Sequence, residues 1–502
     1  MTPDWTPDWT GAAALAQSFA AVWEGAPGGA FVLFDRDGVR ASASGGLASL
    51  EHGIPFGPDT PSRYASISKH FLAATLLLEG IDLDETLGAL LPGLPAPIGA
   101  VPLGRALDMT GGLPDTMEVL WQQGAPFTAS FSAGEIMAAL RRLPATCAPP
   151  GAEMAYSNTG WRLGQAALEA RTGRPYGAIL RERLLDPLDL PIAFPYDEAE
   201  PVPGLATGYW LDNGAWRRGR YGMHISASGG LAGSASALAR WTAALMAGRF
   251  PLACMLDRLL APRAFANGAA SAYRLGLVET RLGNTRLAAH SGSLPGYRNH
   301  LLFAPDAGVG VVLLLNRDED PLLPALRVVA ALLREPAPQP AALPPGLYAA
   351  EHGPAWAELH PDAIEFMGGR ETLLADGDRY RSIPSTLEIS VQIGGGVIEG
   401  TVGGVARQLR AVPDGLALDP RLVGLWRDTV FGSELLIRPD GTARWPWADG
   451  VGQEVALTPL PGPRALAALP HLMWRHRPCL FLEDGALRIA SHRARVLTLR
   501  RA

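Results

Sequence analysis

The chain of 502 residues is almost without lysine: of its 43 basic residues, 42 are arginine and one, Lys69, is lysine. It is nearly as poor in cysteine, with Cys147, Cys254 and Cys479 far apart. So odd and sparse a set is no disulfide framework and fits a reducing cytoplasm. No C-x-x-C pair and no H-E-x-x-H occurs, so no metal site is expected. Charged residues make up only 18% and the net charge is −6, which gives no positive field to gather nucleic acid or an anionic membrane. No run approaches the roughly 18 apolar residues of a membrane span. The first residues, Met-Thr-Pro-Asp-Trp, lack the basic stretch and apolar core of a secretory signal. A Walker A loop needs G-K-[ST], but Ser68 precedes the one lysine, and no G-x-S-x-G elbow occurs. No cofactor is therefore expected. Small molecules or peptides are the expected partners, with a homodimer as the candidate assembly.

What is present is packed globular protein: 48% hydrophobic residues, with 58 Gly and 44 Pro marking many turns. A single core stops growing at about 250 to 300 residues, so two or more domains are expected. Thr2-Pro3-Asp4-Trp5 recurs at once as Thr6-Pro7-Asp8-Trp9 and reads as a frayed leader.

The lone lysine is informative because arginine has replaced lysine everywhere else. Arginine cannot act as a base near neutral pH, its pKa lying above about 12, whereas a desolvated lysine can fall to ~7. The count alone would equally suit a chance survivor on a solvated helix face. The neighbours decide otherwise: Ser66-Ile67-Ser68-Lys69 opens an apolar helical stretch running to Leu78. Residues i and i+3 share a helix face, so the Ser66 hydroxyl and the Lys69 amine can meet there. Free backbone N–H groups of a first helical turn suit a developing oxyanion.

Two further segments carry chemistry-bearing residues. Pro149 to Gly160 is turn-rich and holds Tyr156-Ser157-Asn158, which leads into a helical stretch. Alone, Tyr156 reads as a loop residue packing its ring. Leu287 to Ser293 ends in His290-Ser291-Gly292-Ser293, a polar interruption in a meander of antiparallel strands to Leu315. A lone His290 would be structural, while Gly292 at a strand edge suggests close approach of a ligand backbone.

In this order, S-x-x-K, Y-x-N and H-x-G resemble the motif set of the penicillin-recognising serine hydrolases, the superfamily of serine β-lactamases and DD-peptidases. Arg105-Ala106-Leu107-Asp108-Met109-Thr110-Gly111-Gly112-Leu113-Pro114-Asp115 is also similar, as are Leu185-Asp186-Pro187-Leu188 and Ser228-Gly229-Gly230-Leu231, so the likeness covers roughly residues 12 to 335. The resemblance implies an α+β fold, an antiparallel sheet flanked by helices with a helical subdomain. It implies that Ser66 forms an acyl-enzyme and that Lys69 and Tyr156 move its proton. It further implies that Asn158, His290, Gly292 and Ser293 bind substrate, with the N–H groups of Ser66 and Ser293 as oxyanion hole. H-x-G in place of K-T-G is nearer the peptidase and esterase branches.

Arg334 to Pro340 reads as a proline-rich linker, and beyond it short alternating strands repeat: Gly346-Leu347-Tyr348 and Pro361-Asp362 match Gly424-Leu425-Trp426 and Pro439-Asp440. Two small antiparallel β-barrels are expected, giving domains at 1–334, 343–415 and 416–502. The whole arrangement resembles the bacterial D-aminopeptidases, which release N-terminal D-residues from peptides and amides. In that family a loop of the last barrel supplies a carboxylate for the substrate amine. Here the matching loop, Thr458 to Pro478, has no Asp or Glu but holds Arg464, His471, Arg475, His476 and Arg477. Asp449, Glu454, Glu483 and Asp484 are the alternatives. An esterase or amidase of the same superfamily, acting on blocked or anionic substrates, would suit the basic loop; a non-catalytic binding protein on this scaffold is the remaining alternative. Asp82 and Asp84 read as a solvated turn rather than a glycosidase pair. Because every motif precedes residue 300, the tail is expected to shape selectivity and not the chemistry.

Overall fold

A computed structural model describes the chain except residues 1–5, 127, 223, 385, 447–451 and 472–473, and over 470–475 it describes backbone only. It divides into two compact units interleaved along the sequence. The first comprises residues 1–82, 161–263 and 272–338; the second comprises 83–160, 264–271 and 339–502.

The first unit is built on a six-stranded antiparallel sheet. Its strands run in the order Val278–Leu282, Thr285–Leu294, Tyr297–Ala304, Val309–Leu315, Gly29–Asp35, Gly38–Gly45. Strand position explains composition. Val309–Leu315, VGVVLLL, lies inside the sheet and is buried along its whole length, whereas the outermost Gly38–Gly45 carries Arg40, Ser42 and Ser44 and buries only Ala43. Burying a Val or Leu side chain contributes about 1.5–3 kcal/mol, so the inner strands carry much of this unit's stability. Helices Trp9–Ala21 and Leu322–Leu333 pack on the sheet and on each other. Trp9–Ala21 presents Ala12, Ala16 and Ala20, all fully buried at helical spacing, and small residues allow close packing.

That helix corrects one expectation. The second copy of the repeat is no frayed leader: the Asp8 carboxylate accepts the Gly11 N–H at 2.8 Å as the helix N-cap, and Trp9 opens the helix. The first copy, apart from Thr2 to Trp5 being its residues, lies outside the described ones.

The second unit holds short helices, among them Thr116–Gln122 and Ala133–Leu140, and two closed eight-stranded antiparallel barrels. The first barrel runs from Gly346–Ala349 to Val405–Ala411 and the second from Gly424–Asp428 to Leu497–Arg501. The sequence repeat falls on equivalent positions. Tyr348 and Trp426 are buried on each opening strand, and Pro361-Asp362 and Pro439-Asp440 turn the second strand into the third. Leu466, Cys479 and Phe481 of the second barrel join one apolar cluster with Trp356, Ile364 and Val391 of the first. Arg464 is drawn into the same junction, its guanidinium donating to the carbonyls of Ala350 at 2.8 Å and Gly353 at 2.9 Å.

Candidate active site

In the first unit, Ser66 sits in a single 3₁₀ turn, Ala65–Ser68, that feeds the helix Lys69–Leu78. From Ser62 to Leu77 every residue is buried except Ser66. Ala65, just before it, takes the left-handed conformation at φ 52°, which costs a non-glycine residue about 1–2 kcal/mol and is the mark of a turn held by its surroundings. Asn299 holds it from one side, its amide donating to the Arg63 carbonyl at 2.7 Å, and the Tyr64 hydroxyl donates to the Ser234 carbonyl at 2.7 Å.

Lys69 is fully buried, and its Nζ lies 2.9 Å from Ser66 Oγ and 2.6 Å from the Ser228 carbonyl oxygen. The i, i+3 pairing expected from sequence is therefore formed. Ser68, the competing hydroxyl, is buried and accepts the Leu231 N–H at 3.0 Å, a structural duty.

Strand Thr285–Leu294 brings His290, Gly292 and Ser293 to the same unit. A Cβ on Gly292 would lie 2.2 Å from the Tyr64 carbonyl oxygen and 3.2 Å from the Ala65 methyl. The glycine thus admits the close approach of the protein's own nucleophile turn, a neighbour that its strand position does not indicate. His290 is saturated. Its Nδ1 donates to the Ser291 carbonyl at 2.5 Å, so in the neutral ring Nε2 accepts the Tyr273 hydroxyl at 2.9 Å. Burial first, and then the charge of Lys69, hold the imidazole well below its ordinary pKa. Ser293 differs: its Oγ is buried without a hydrogen-bond partner.

Tyr156 and Asn158 belong to the second unit, and their surroundings are ionic. Asp115 caps the helix Thr116–Gln122 by accepting the N–H groups of Met117 and Glu118 at 3.1 and 3.2 Å. Its second oxygen accepts the Asn158 backbone N–H at 2.9 Å, the Asn158 amide at 3.2 Å and Arg493 Nη2 at 2.7 Å. Arg493 comes from the loop between the last two strands of the second barrel. Its Nε donates to the Tyr156 carbonyl at 3.2 Å, and its Cζ stands 5.0 Å above the Tyr156 ring. Glu118 lies behind, 3.6 Å from Arg493 Nε and 3.5 Å from His476 Nδ1, and burial pushes its carboxyl up to about 7.

Asp115 and Ser228 fall in stretches that resemble the family but carry no role there, and neither Glu118 nor Arg493 stands out in the sequence. Asp115-Thr116-Met117-Glu118 does carry the spacing of a helix N-terminus. For Arg493 there is no sequence signal, since its partners lie more than 300 residues away. The basic loop expected in the tail is the end of one strand, Arg464–Ala467, and a hairpin of Leu469–His471 with Trp474–His476. Of its basic residues, Arg464 serves the barrel junction, His476 meets Glu118, and Arg477 pairs with Glu358 and stacks over Trp356. The side chains of His471 and Arg475 lie outside the described residues. Among the acidic alternatives, Glu454 pairs with Arg438 and Glu483 with Arg488, Asp484 stands exposed in the turn after Cys479–Glu483, and Asp449 lies outside the described residues. Glu358, His360 and Glu365 have the spacing of a metal cluster, but the Arg477 guanidinium already occupies their negative field.

A serine hydroxyl in hydrogen-bond reach of a buried lysine amine, on a strained turn against strand Thr285–Leu294, is the equipment of acyl transfer. Residues 15–334 match the β-lactamase family. The chain belongs to the β-lactamase family. Within it, the chain is 28% identical over 315 residues to a D-aminopeptidase of Gluconobacter oxydans, covering 62% of this chain and 59% of that protein. It is 28% identical over 300 residues to a D-aminopeptidase of Brucella anthropi, covering 58% and 56%. The chain thus spans less than two thirds of the length of these curated relatives. The octameric penicillin-binding protein homologue of Pyrococcus abyssi is similar in structure, with a TM-score of 0.55, 17% identity, and 94% of this chain and 96% of that chain covered. The D-amino acid amidase of Ochrobactrum anthropi gives a TM-score of 0.55 at 23% identity, covering 64% and 98%. These identities support the fold: a β-lactamase-like body with mixed helices and sheet, and two closed β-barrels. No helix among the described residues is long and apolar enough to cross a membrane.

Proposed function

We propose that this hydrolase-family chain is a serine hydrolase acting through an acyl-enzyme on Ser66, and that it releases N-terminal D-amino acids from peptides and amides. The observation that carries the first half is the 2.9 Å contact between Lys69 Nζ and Ser66 Oγ inside a buried turn. The second half is supported by the D-aminopeptidases among its relatives.

In this reading Ser66 Oγ attacks the substrate carbonyl carbon while its proton passes to Lys69 and Tyr156. The carbon–nitrogen bond breaks as that proton reaches the departing amine, leaving an ester on Ser66. Water then attacks the ester, gives its proton back along the same groups and releases the acid. Tyr156 and Asn158 enter by motif order, Asn158 holding the lysine or the substrate amide. Ser293 offers its unpartnered hydroxyl to substrate, and its N–H with that of Ser66 forms the oxyanion hole; His290 and Gly292 shape the wall.

A second reading, an esterase or amidase for blocked or anionic acyl groups, is favoured by the commitment of Glu454 and Glu483 to surface arginines. A panel of D- and L-alaninamide, their N-acetyl derivatives and short-chain esters separates the two. Fastest turnover of free D-alaninamide supports the aminopeptidase; preference for acetylated or ester substrates rejects it. The three-domain division at 1–334, 343–415 and 416–502, the homodimer and the cytoplasmic location stay proposals, the last supported by three free cysteines. Limited proteolysis and sedimentation test the first two.

A further inference from the structure

Tyr156 is held by a residue that no motif contains. The Arg493 guanidinium is bracketed between the Asp115 carboxylate at 2.7 Å and the face of the Tyr156 ring at 5.0 Å, and its Nε also holds the Tyr156 carbonyl at 3.2 Å. Through Asp115 the same clamp reaches Asn158, so one ion pair fixes both ends of Tyr-Ser-Asn. The loop that carries Arg493 is itself pinned. The Arg493 carbonyl accepts the Asp115 N–H at 2.8 Å, the Gln122 amide donates to Ser491 Oγ and the Ala494 carbonyl at 3.2 Å each, and the His492 N–H donates to the Met367 carbonyl at 3.0 Å. Arg495 and Arg407 both pair with Glu153, three residues before Tyr156, at 2.6 and 2.9 Å.

We propose that Arg493 is a positioning residue for Tyr156: it fixes the phenol's ring plane, and its cation stabilises the ring while negative charge builds on the phenol oxygen during proton transfer. This deepens the proposed function and rests on the reading of Tyr156 as a proton carrier. Its consequence is that the second barrel enters the chemistry and does more than shape selectivity. A planar, permanently charged guanidinium suits the task, because it can pair with a carboxylate along its edge and lie over a ring with its face.

The test uses the full-length chain with Arg493→Met, Arg493→Lys, Tyr156→Phe and the double variant Tyr156→Phe/Arg493→Met. Two substrates share one acyl group: D-alaninamide, whose leaving amine needs a proton, and D-alanine p-nitrophenyl ester, whose leaving phenolate does not. The rate of Ser66 labelling by a p-nitrophenyl phosphonate gives a measure independent of the substrate. Arg493→Met is expected to lower kcat on the amide by ~10–100-fold at nearly constant KM, the ester and the phosphonate being affected several-fold less. Arg493→Lys should recover part of the loss, and it carries the comparison if the methionine variant does not fold. The double variant should be no slower than Tyr156→Phe alone, since the arginine acts through the tyrosine. Equal losses on amide and ester, or losses that multiply in the double variant, would overturn the proposal and leave Arg493 a purely structural clamp. A Tyr156→Phe chain with unchanged rates on every probe would sink the reading of Tyr156 itself. Wild-type turnover of neither substrate would reject the aminopeptidase reading alone, and the phosphonate rates would then decide on Arg493.

Discussion

The nucleophile turn of the first unit and the tyrosine segment of the second are held by opposite means. Around Ser66 and Lys69 the supports are apolar packing, backbone carbonyls and neutral side chains: the Ser228 carbonyl on Lys69, the Tyr64 carbonyl against Gly292, a neutral His290. Around Tyr156 and Asn158 they are charges, with Asp115, Glu118 and Arg493 within 4 Å of one another along the ion pairs. Packing fixes a turn whatever the salt, whereas an ionic clamp can be removed one charge at a time. The two halves should therefore fail differently when perturbed.

The largest effect is expected at the lysine. Lys69→Arg keeps the charge but removes the base, and acylation should fall ~10²–10⁴-fold, measured by phosphonate labelling with peptide mapping. The label should sit on Ser66 in the wild type, because the Ser68 hydroxyl is already engaged. Full burial of Lys69 adds a second outcome that sequence did not indicate: the longer guanidinium overpacks the site, costing about 1–3 kcal/mol, visible as a lower Tm. Near-normal turnover in a folded Arg variant would break the comparison at its root.

Next comes Gly292→Ala. With a Cβ 2.2 Å from the Tyr64 carbonyl, either the strand or the Ser66 turn must shift, and a displacement of about 1 Å at the nucleophile costs ~10²-fold in kcat. The equivalent insult to the ionic half is Asp115→Asn, which strips the partner from Arg493 yet leaves a side-chain oxygen to cap the helix. A loss of about 1–3 kcal/mol in stability is expected, with ~10-fold slower amide turnover. Salt sharpens the contrast: it should leave the Gly292→Ala defect unchanged and deepen a partial defect such as Arg493→Lys.

The same difference decides what a sequence reveals. Ser66 and Lys69 are three residues apart on one turn, so a helical repeat suffices to pair them, and the β-repeat at Gly346 and Gly424 is likewise written in neighbouring turns and alternating strands. The clamp on Tyr156 joins Asp115, Tyr156 and Arg493, which only the folded second unit brings together. Gly292 stands out for the absence of a side chain, but a strand pattern cannot say that the Tyr64 carbonyl is among the groups approaching it. Arg464 and Arg477 looked like a basic loop because sequence shows charge but not the carbonyls and carboxylates that absorb it.

The smallest effect, and the sharpest test of the contrast, is the sign of stability against pH. In the first unit burial pushes His70 down to about 3, His300 down to about 4 and His290 well below the ordinary 6.5. An unfolded chain protonates these rings below pH 6.5 while the folded one does not, so stability is lost as pH falls from 6.5 toward 4. Glu118 in the second unit works the other way. Its folded pKa of about 7 exceeds the ordinary 4.5, so the folded state holds a proton the unfolded state has released, and stability is lost as pH rises from 4.5 through 7. Hydrogen exchange across pH 4 to 8 should then show protection of strand Tyr297–Ala304 weakening toward acid and that of helix Thr116–Gln122 weakening toward neutrality. Glu118→Gln should abolish the second trend and leave the first intact. Parallel pH trends in the two peptides, or a helix trend that survives Glu118→Gln, would mean that the ionic half does not carry its own titration and that the contrast between the two halves is one of geometry alone.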